Sequence, residues 1–474
     1  GRPGPREALL VGARQTGKNQ ADGAWTVRGL SKYGSGEGGQ AVKSAPTYKP
    51  QISISKRRLK RFLSEIPLMA DEWTSEEGYI FRFRAAAIAF LSAHESANRV
   101  GETADLWLTV DESQDTSQEV FDKDFSPMRG FRGVPTFFQG TEWTEDCLLA
   151  VTRRRLEVLQ EQDGIQRVWR VPWELRARDN PRYDEFVRNE RGRLGPQHPI
   201  FLSQYCLVPL AGVGRFLEPG WLDLIFGDAH PRATQPVPGR IYVGGVDYCG
   251  ADEQPDEAAF DLERAELRDS TVALVGELVW RKERSSEEHR GSWRLVPVVR
   301  VVASLILPGQ HPEAVTEKVD EFLFQRFRCL KVVADARGVG DGPSMMLHRR
   351  RPAQVTRLQS TAQDVSRMGY RLLGAIGTGR FGWWQHDHSP DWAEAQLQFR
   401  HLEKRVLPGP GKLMRWGHPE KQVDVDGKPR NIHDDIPKAA GYLVEAAYEH
   451  LATIQPPAMD LDEYVPWDES AGMG

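Results

Sequence analysis

The chain has 474 residues, of which 40% are hydrophobic and 27% charged, with a formal net charge of −5. That composition excludes wholesale disorder, collagen-like repeats and a coiled-coil rod. The length predicts two large domains or about three of ordinary size, and no apolar run approaches the roughly 18 residues of a membrane helix.

The net charge is not spread evenly. Residues 455–474 carry Asp460, Asp462, Glu463, Asp468 and Glu469 and no Lys or Arg, so the body is neutral overall. Local basic clusters stand at Lys56-Arg57-Arg58, Arg153-Arg154-Arg155 and His348-Arg349-Arg350-Arg351. A neutral body with such patches is compatible with nucleic-acid binding, although a solvated helix face is the simpler reading of each cluster taken alone. The amino terminus has no signal-peptide core, and it lacks an initiator Met. Cys147, Cys206, Cys249 and Cys329 show no CxxC pairing, which fits a reducing cytoplasm better than a disulfide framework.

In chain order, an apolar strand at Leu9-Leu10-Val11 leads into a Gly-rich loop, and residues up to 50 are rich in Gly, Ser and Lys. Residues 52–150 alternate apolar runs with charged helical stretches, as in an α/β domain. Within them 85–91 suits a buried element, 106–110 and 136–138 read as strands, and 145–160 has helical spacing. Residues 180–238 are irregular and rich in Pro and Gly, which reads as a linker or lid. A second α/β region then offers strands at 241–246, 271–280, 295–305 and 330–334. Helices are expected at 315–327 and 437–450, and an exposed hairpin tip at 281–290.

The loop Gly12-Ala13-Arg14-Gln15-Thr16-Gly17-Lys18-Asn19 fits G-x-x-x-x-G-K with Asn in place of Ser or Thr. Glycines let backbone N–H groups close around a phosphate, and the helix that follows favours negative charge. Lys18 is then placed to reach the β/γ-phosphates of ATP. Asn19 removes the hydroxyl that normally holds Mg²⁺, so metal binding there is expected to weaken or to fall to the amide oxygen. The strand at 106–110 delivers Asp111 and Glu112 at its carboxyl end. In a P-loop ATPase the first acid holds Mg²⁺ and the second polarises the attacking water.

Three further acidic positions stand at the ends of elements in the second region. Asp247 follows the strand at 241–246, Asp335 ends the strand at 330–334, and Asp434-Asp435, preceded by His433, opens the last helix. Carboxylates brought together from separate elements make a hard-oxygen site for Mg²⁺ or Mn²⁺. A pair of such ions stabilises both oxygens of a phosphodiester displacement.

Taken in order, these motifs resemble the large subunit of a tailed-bacteriophage terminase over nearly the whole chain. The loop with its internal Arg14 resembles that family's variant Walker A motif. The stretch 101–115, ending Val110-Asp111-Glu112-Ser113-Gln114-Asp115, resembles its Walker B region. Gly140-Thr141 resembles the coupling motif. Gly244-Gly245-Val246-Asp247, Asp269-Ser270-Thr271, Asp335 to Asp341 and His433-Asp434-Asp435 resemble its nuclease. The resemblance implies an ASCE-type P-loop ATPase domain followed by an RNase H-like nuclease domain. It implies ATP-driven pumping of double-stranded DNA into a procapsid and metal-dependent cutting of concatemeric genomes. The implied cofactors are ATP and Mg²⁺ or Mn²⁺. The implied partners are DNA, a terminase small subunit and a portal protein, with a homo-oligomeric ring on the procapsid and no membrane. The implied location is the host cytoplasm, in a phage or prophage setting.

The domain bounds expected are 1–180 for the ATPase, 181–240 for the linker, 241–454 for the nuclease and 455–474 for an acidic tail. The implied nucleotide-binding residues are Gly12, Arg14, Gln15, Thr16, Gly17, Lys18, Asn19 and Asp111, with Glu112 catalytic and Thr141 coupling. The implied nuclease residues are Asp247, Asp335 and either Asp434 or Asp435, with Asp256 and Asp269 in an inserted loop. The segment that contacts adenine in that family lies upstream of the loop and is expected to be missing here. The tail, with Tyr464 and Trp467, reads either as solvated chain or as a docking peptide. Two other readings remain: a helicase-like ATPase with a DNA-binding carboxyl domain, and a catalytically decayed prophage scaffold.

Overall fold

The computed structural model describes residues 6–454 apart from 68, 95–96, 98–100, 228–229, 250–269, 285–292, 309–310, 408, 410, 420 and 426–427. Asp256, Asp269 and the acidic tail therefore lie outside the described residues. The chain divides into two compact units, Gly1–Gly214 with Lys404–Arg415, and Arg215–Glu403 with Trp416–Gly474. The expected linker is not a separate body. It folds into helices Pro181–Leu194, Pro199–Gln204 and Trp221–Phe226, shared between the two units. Pro181 and Pro199 stand in the first helical turn, where a missing N–H costs nothing, so these prolines start helices instead of marking irregular chain.

The first unit is built on an eight-stranded sheet in the order β3-β4-β5-β2-β6-β7-β1-β8. Its strands are β1 (Glu7–Gly12), β2 (Gly39–Ala45), β3 (Trp73–Glu76), β4 (Ile80–Phe83), β5 (Ala86–Ser92), β6 (Leu108–Val110), β7 (Thr136–Gly140) and β8 (Val168–Val171). From β5 to β8 all pairings are parallel, while β3 and β4 form an antiparallel edge. β7 stands between the strand that enters the Gly-rich loop and the strand that ends in Asp111, which is the ASCE arrangement. Separate apolar clusters pack the sheet, one around Val11, Leu108, Phe138 and Leu149, the other around Leu30, Ala41, Ile88 and Leu59. β2 escaped the sequence reading. Its residues Gly-Gln-Ala-Val-Lys-Ser-Ala hold no long apolar run, yet Ala41 to Ala45 are all buried.

A short strand, β9 (Val213–Arg215), straddles the division of the chain. The second unit carries a six-stranded sheet of β10 (Ile241–Asp247), β11 (Ser270–Arg284), β12 (Trp293–Pro308), β13 (Lys331–Asp335), β14 (Val355–Leu358) and β15 (Phe381–Trp383). The order is β14-β13-β10-β11-β12-β15. β10, β11 and β12 form an antiparallel meander, and β10 joins parallel β13 and β14 on its other side. That is the RNase H-like arrangement. Helix Asp435–Leu451 packs directly on β10. A Cβ added at Gly245 would lie 2.2 Å from the Leu443 nitrogen and 2.3 Å from the Ala439 oxygen, so only glycine allows this approach. The helix expected at 315–327 is Pro312–Asp320 followed by a wider turn over Glu321–Arg326. The expected hairpin tip begins later than 281, because β11 continues to Arg284.

Candidate functional site

In the first unit, parallel pairing fixes which loop residues meet. Val11 is opposite Gly140, so Gly12 and Thr141 emerge side by side. The Thr141 hydroxyl donates to the Gly12 carbonyl at 2.8 Å and accepts from Lys18 Nζ at 2.8 Å. Lys18 also donates to the carbonyls of Gly12 at 2.8 Å and Ala13 at 3.2 Å. Gln15 and Gly17 adopt positive φ, 60° and 98°, which turns the loop into helix Lys18–Gly34. Gly17 supplies that geometry without a steric penalty. Burial lowers the Lys18 pKa, and the nearby cations Arg14 and Lys412 lower it further, while Glu112 and Asp111 act against them. Arg14 is exposed, and its backbone is fixed by its N–H to Gln204 at 2.9 Å and its carbonyl to the Tyr183 hydroxyl at 2.6 Å.

The same register argument joins Asp111 to Gln139. Val110 is opposite Phe138, and the next residues meet through a 2.8 Å bond from Gln139 Nε2 to Asp111 Oδ1. Glu112 takes a left-handed φ of 48°, and its carboxylate accepts from Gln114 Nε2 at 2.6 Å. Gln114 Oε1 in turn accepts the Thr141 N–H at 3.1 Å. A single glutamine thus links Glu112 to the residue that holds Lys18.

Two features here were not legible in the sequence. Lys43, buried on β2, lies 3.1 Å from Asp111 Oδ2 and also contacts Asp22. Burial works against the Lys43 charge, but Asp111 and Asp22 outweigh it and push its pKa up. Both Asp111 oxygens are therefore engaged, Oδ1 by Gln139 and by the Glu112 N–H at 3.0 Å. Asn19 Oδ1 is buried and has no hydrogen-bond partner among the described residues. That orphaned oxygen suits a hard cation, while the neutralised Asp111 suits one less well. The second feature is Lys412, which comes from the carboxyl half of the sequence and lies 3.7 Å from Asp115. The Arg153 cluster, by contrast, is structural: Arg153 pairs with buried Glu142 at 2.7 Å and with Glu157 at 2.7 Å.

In the second unit, Val246 on β10 is opposite Ala334 on parallel β13. Asp247 and Asp335 therefore end adjacent strands at the same edge of the sheet. The close approach at Gly245 brings the start of helix Asp435–Leu451 to that edge. Burial raises the Asp247 pKa well above the carboxylate range, and Asp435, Asp335 and Asp434 add to the rise, in that order. Burial also raises Asp335, although the Tyr442 hydroxyl donates to its Oδ1 at 2.8 Å and the Arg337 N–H at 3.2 Å. Asp434 behaves differently. Burial works to raise its pKa, but His418 at 3.4 Å and Lys438 at 3.7 Å outweigh that and lower it. Asp435 Oδ2 accepts the Ser270 N–H at 2.8 Å. Among the described residues no group of three His, Cys, Asp or Glu side chains is packed closely enough to hold a metal ion without rearrangement. The chemistry of the set still fits one: three carboxylates act on buried Asp247, a repulsion that a divalent cation relieves.

Tyr442 and Lys438 were missed in the sequence. The i,i+4 spacing of Asp434 and Lys438 was available as a signal. The bond from Tyr442 to Asp335 joins residues far apart in the chain and was not.

Neither a family model nor a curated protein matches this chain. Among solved structures it is similar to the large terminase of a thermophilic bacteriophage, at 12% identity over 93% of each chain with a TM-score of 0.47. It is also similar to the large terminase of bacteriophage HK97, at 12% identity over 94% of this chain and 91% of that one, TM-score 0.39. The large-terminase nuclease of thermophilic phage G20c with bound magnesium matches at 13% identity over 48% of this chain and 95% of its own, TM-score 0.30. All these TM-scores are under 0.5, so the fold assignment rests on the strand orders above.

Proposed function

We propose that this chain is a terminase large subunit, which uses ATP to drive double-stranded DNA into a phage procapsid and cuts concatemeric DNA with a metal-dependent nuclease. The observation that carries the reading is the coexistence in one chain of two centres. One is a phosphate loop whose Lys18 is held by Thr141, and the other is a carboxylate edge on an RNase H-ordered sheet.

In the nucleotide site, Lys18 exchanges its bonds to Gly12, Ala13 and Thr141 for phosphate oxygens. Thr141 is released by that exchange, and Gln114 carries the change to Glu112. Glu112 polarises the attacking water, held in orientation by Gln114. Asn19 and Asp111 would hold Mg²⁺, which when bound neutralises charge on the phosphates. In the nuclease, Asp247, Asp335 and Asp435 are the proposed metal ligands. Asp435 is chosen over Asp434 because it acts most strongly on Asp247, whereas Asp434 is already paired with Lys438 and His418. Divalent cations there would stabilise the attacking and leaving oxygens of a phosphodiester displacement. Tyr442 positions Asp335. DNA, a small subunit and a portal are the proposed partners, with a ring on the procapsid and the host cytoplasm as location.

The test uses the full chain. Lys18→Ala should abolish DNA-stimulated ATP turnover and spare Mn²⁺-dependent plasmid cleavage, and Asp335→Asn should do the reverse. Equal loss of both activities in folded variants would sink the two-centre reading. A second reading, a scaffold without ATPase activity, is favoured by the Lys43–Asp111 pair, which already occupies the acid that would hold Mg²⁺. DNA-stimulated turnover by the wild type excludes it.

A further inference from the structure

Residues Lys404–Arg415 belong to the first unit, although the residues on both sides of them in the chain belong to the second. The excursion is pinned by backbone bonds. Val406 N–H donates to Gly212 at 3.0 Å, Leu407 N–H to Leu413 at 2.7 Å, and Lys412 N–H to Gly409 at 3.2 Å. Trp143, fully buried, donates its indole N–H to the Leu407 carbonyl at 3.0 Å. The result is a closed loop with Lys412 near its end at a φ of 47°, a left-handed conformation that an L-residue adopts at a cost.

Two contacts aim this side chain. Its ammonium lies 4.4 Å from the centroid of the Trp143 ring and 3.7 Å from Asp115 Oδ1, and its side chain is 17% exposed. It is also within electrostatic reach of Lys18, Arg14 and Glu112. The indole face and the Asp115 carboxylate hold a cation beside the phosphate loop, at some expense in hydration. Around the loop, then, three cations of different origin oppose one another: Arg14 within it, Lys18 at its end and Lys412 from the excursion. A bound polyphosphate relieves that opposition.

We propose that Lys412 is a phosphate-contacting residue of the nucleotide site, directed at the terminal phosphate of ATP. This rests on the nucleotide reading given above. It gives the site a cation covalently continuous with the second unit, so that nucleotide occupancy acts directly on the loop 404–415. Asp115 and Trp143 are its positioning residues.

The test is equilibrium binding of ATP and ADP to the full chain, with turnover and melting temperature measured in parallel. Lys412→Met keeps the stem against Trp143 and removes the charge. It should weaken ATP binding by about tenfold or more, the size expected for a lost charge-assisted hydrogen bond, and weaken ADP binding less. Lys412→Arg should bind ATP within a few-fold of wild type. Wild-type affinity for both nucleotides in Lys412→Met overturns the proposal. So does an equal loss for ATP and ADP accompanied by a lower melting temperature, which marks a merely structural lysine. If the wild type binds ATP and Lys18→Ala does not, a normal Lys412→Met sinks only this inference. If the wild type binds no ATP, both it and the nucleotide reading fall.

Discussion

The two centres handle buried charge in opposite ways. The phosphate-loop centre engages its acids internally: Lys43 pairs with Asp111 and Gln114 holds Glu112, while the cations Arg14, Lys18 and Lys412 stand close together. The carboxylate edge leaves Asp247 beside three other acids, with His418 and Lys438 paired to Asp434 and Lys438 only partly offsetting the rise at Asp247. A centre whose acids already have their partners must break contacts to take up a metal. A centre without them is stabilised by the cation it recruits, through mass action. The difference teaches that adjacent acids in a sequence do not reveal whether a metal is needed; the nearest buried lysine decides that.

The largest effects should come from removing the group each centre depends on. Asp335→Asn is expected to lower plasmid cleavage by about a hundredfold or more and to remove the rise in melting temperature that Mn²⁺ gives over EDTA. Wild-type cleavage by that variant would mean the carboxylate edge is not the nuclease. Lys43→Met should destabilise the first unit by ~3–5 kcal/mol, because Asp22 and Asp111 are left buried without their partner. Denaturant unfolding measures this, and an unchanged midpoint would show that the first centre is not internally balanced. If Mg²⁺ restores the lost stability, a divalent cation can take the place of the ammonium, and the two centres differ less than their side chains suggest.

A smaller effect is expected at Gly245. Gly245→Ala drives a methyl into the backbone of helix Asp435–Leu451. It should cost about 1–3 kcal/mol and reduce cleavage by displacing Asp434 and Asp435, with ATP turnover unaffected. An equally stable variant that cleaves normally would show that the helix reaches the edge without that contact. The smallest effect is Asn19→Thr, which restores the usual hydroxyl. It should raise Mg²⁺-dependent turnover a few-fold; no gain would locate the limitation at the Lys43–Asp111 pair instead.

The sequence by itself determined the local parts. The Gly-rich loop, the Asp111-Glu112 pair after an apolar strand and the Gly-Gly-Val-Asp end of β10 are legible because each is contiguous and its chemistry depends on neighbours in the chain. Most strands of the second sheet were legible for the same reason, since apolar runs such as Val272 to Val275 mark buried strands. Only the tertiary structure decided the rest. β2 carries a charged residue whose burial makes sense only beside Asp22 and Asp111. The bond from Tyr442 to Asp335 and the neighbourhood of Thr141 and Gly12 depend on strand register, which no local pattern encodes. The placement of Lys412 depends on a segment that leaves one unit's sequence to pack in the other. Long-range contacts of this kind are set by the mutual burial of whole elements, and a buried charge finds its partner only after those elements have met.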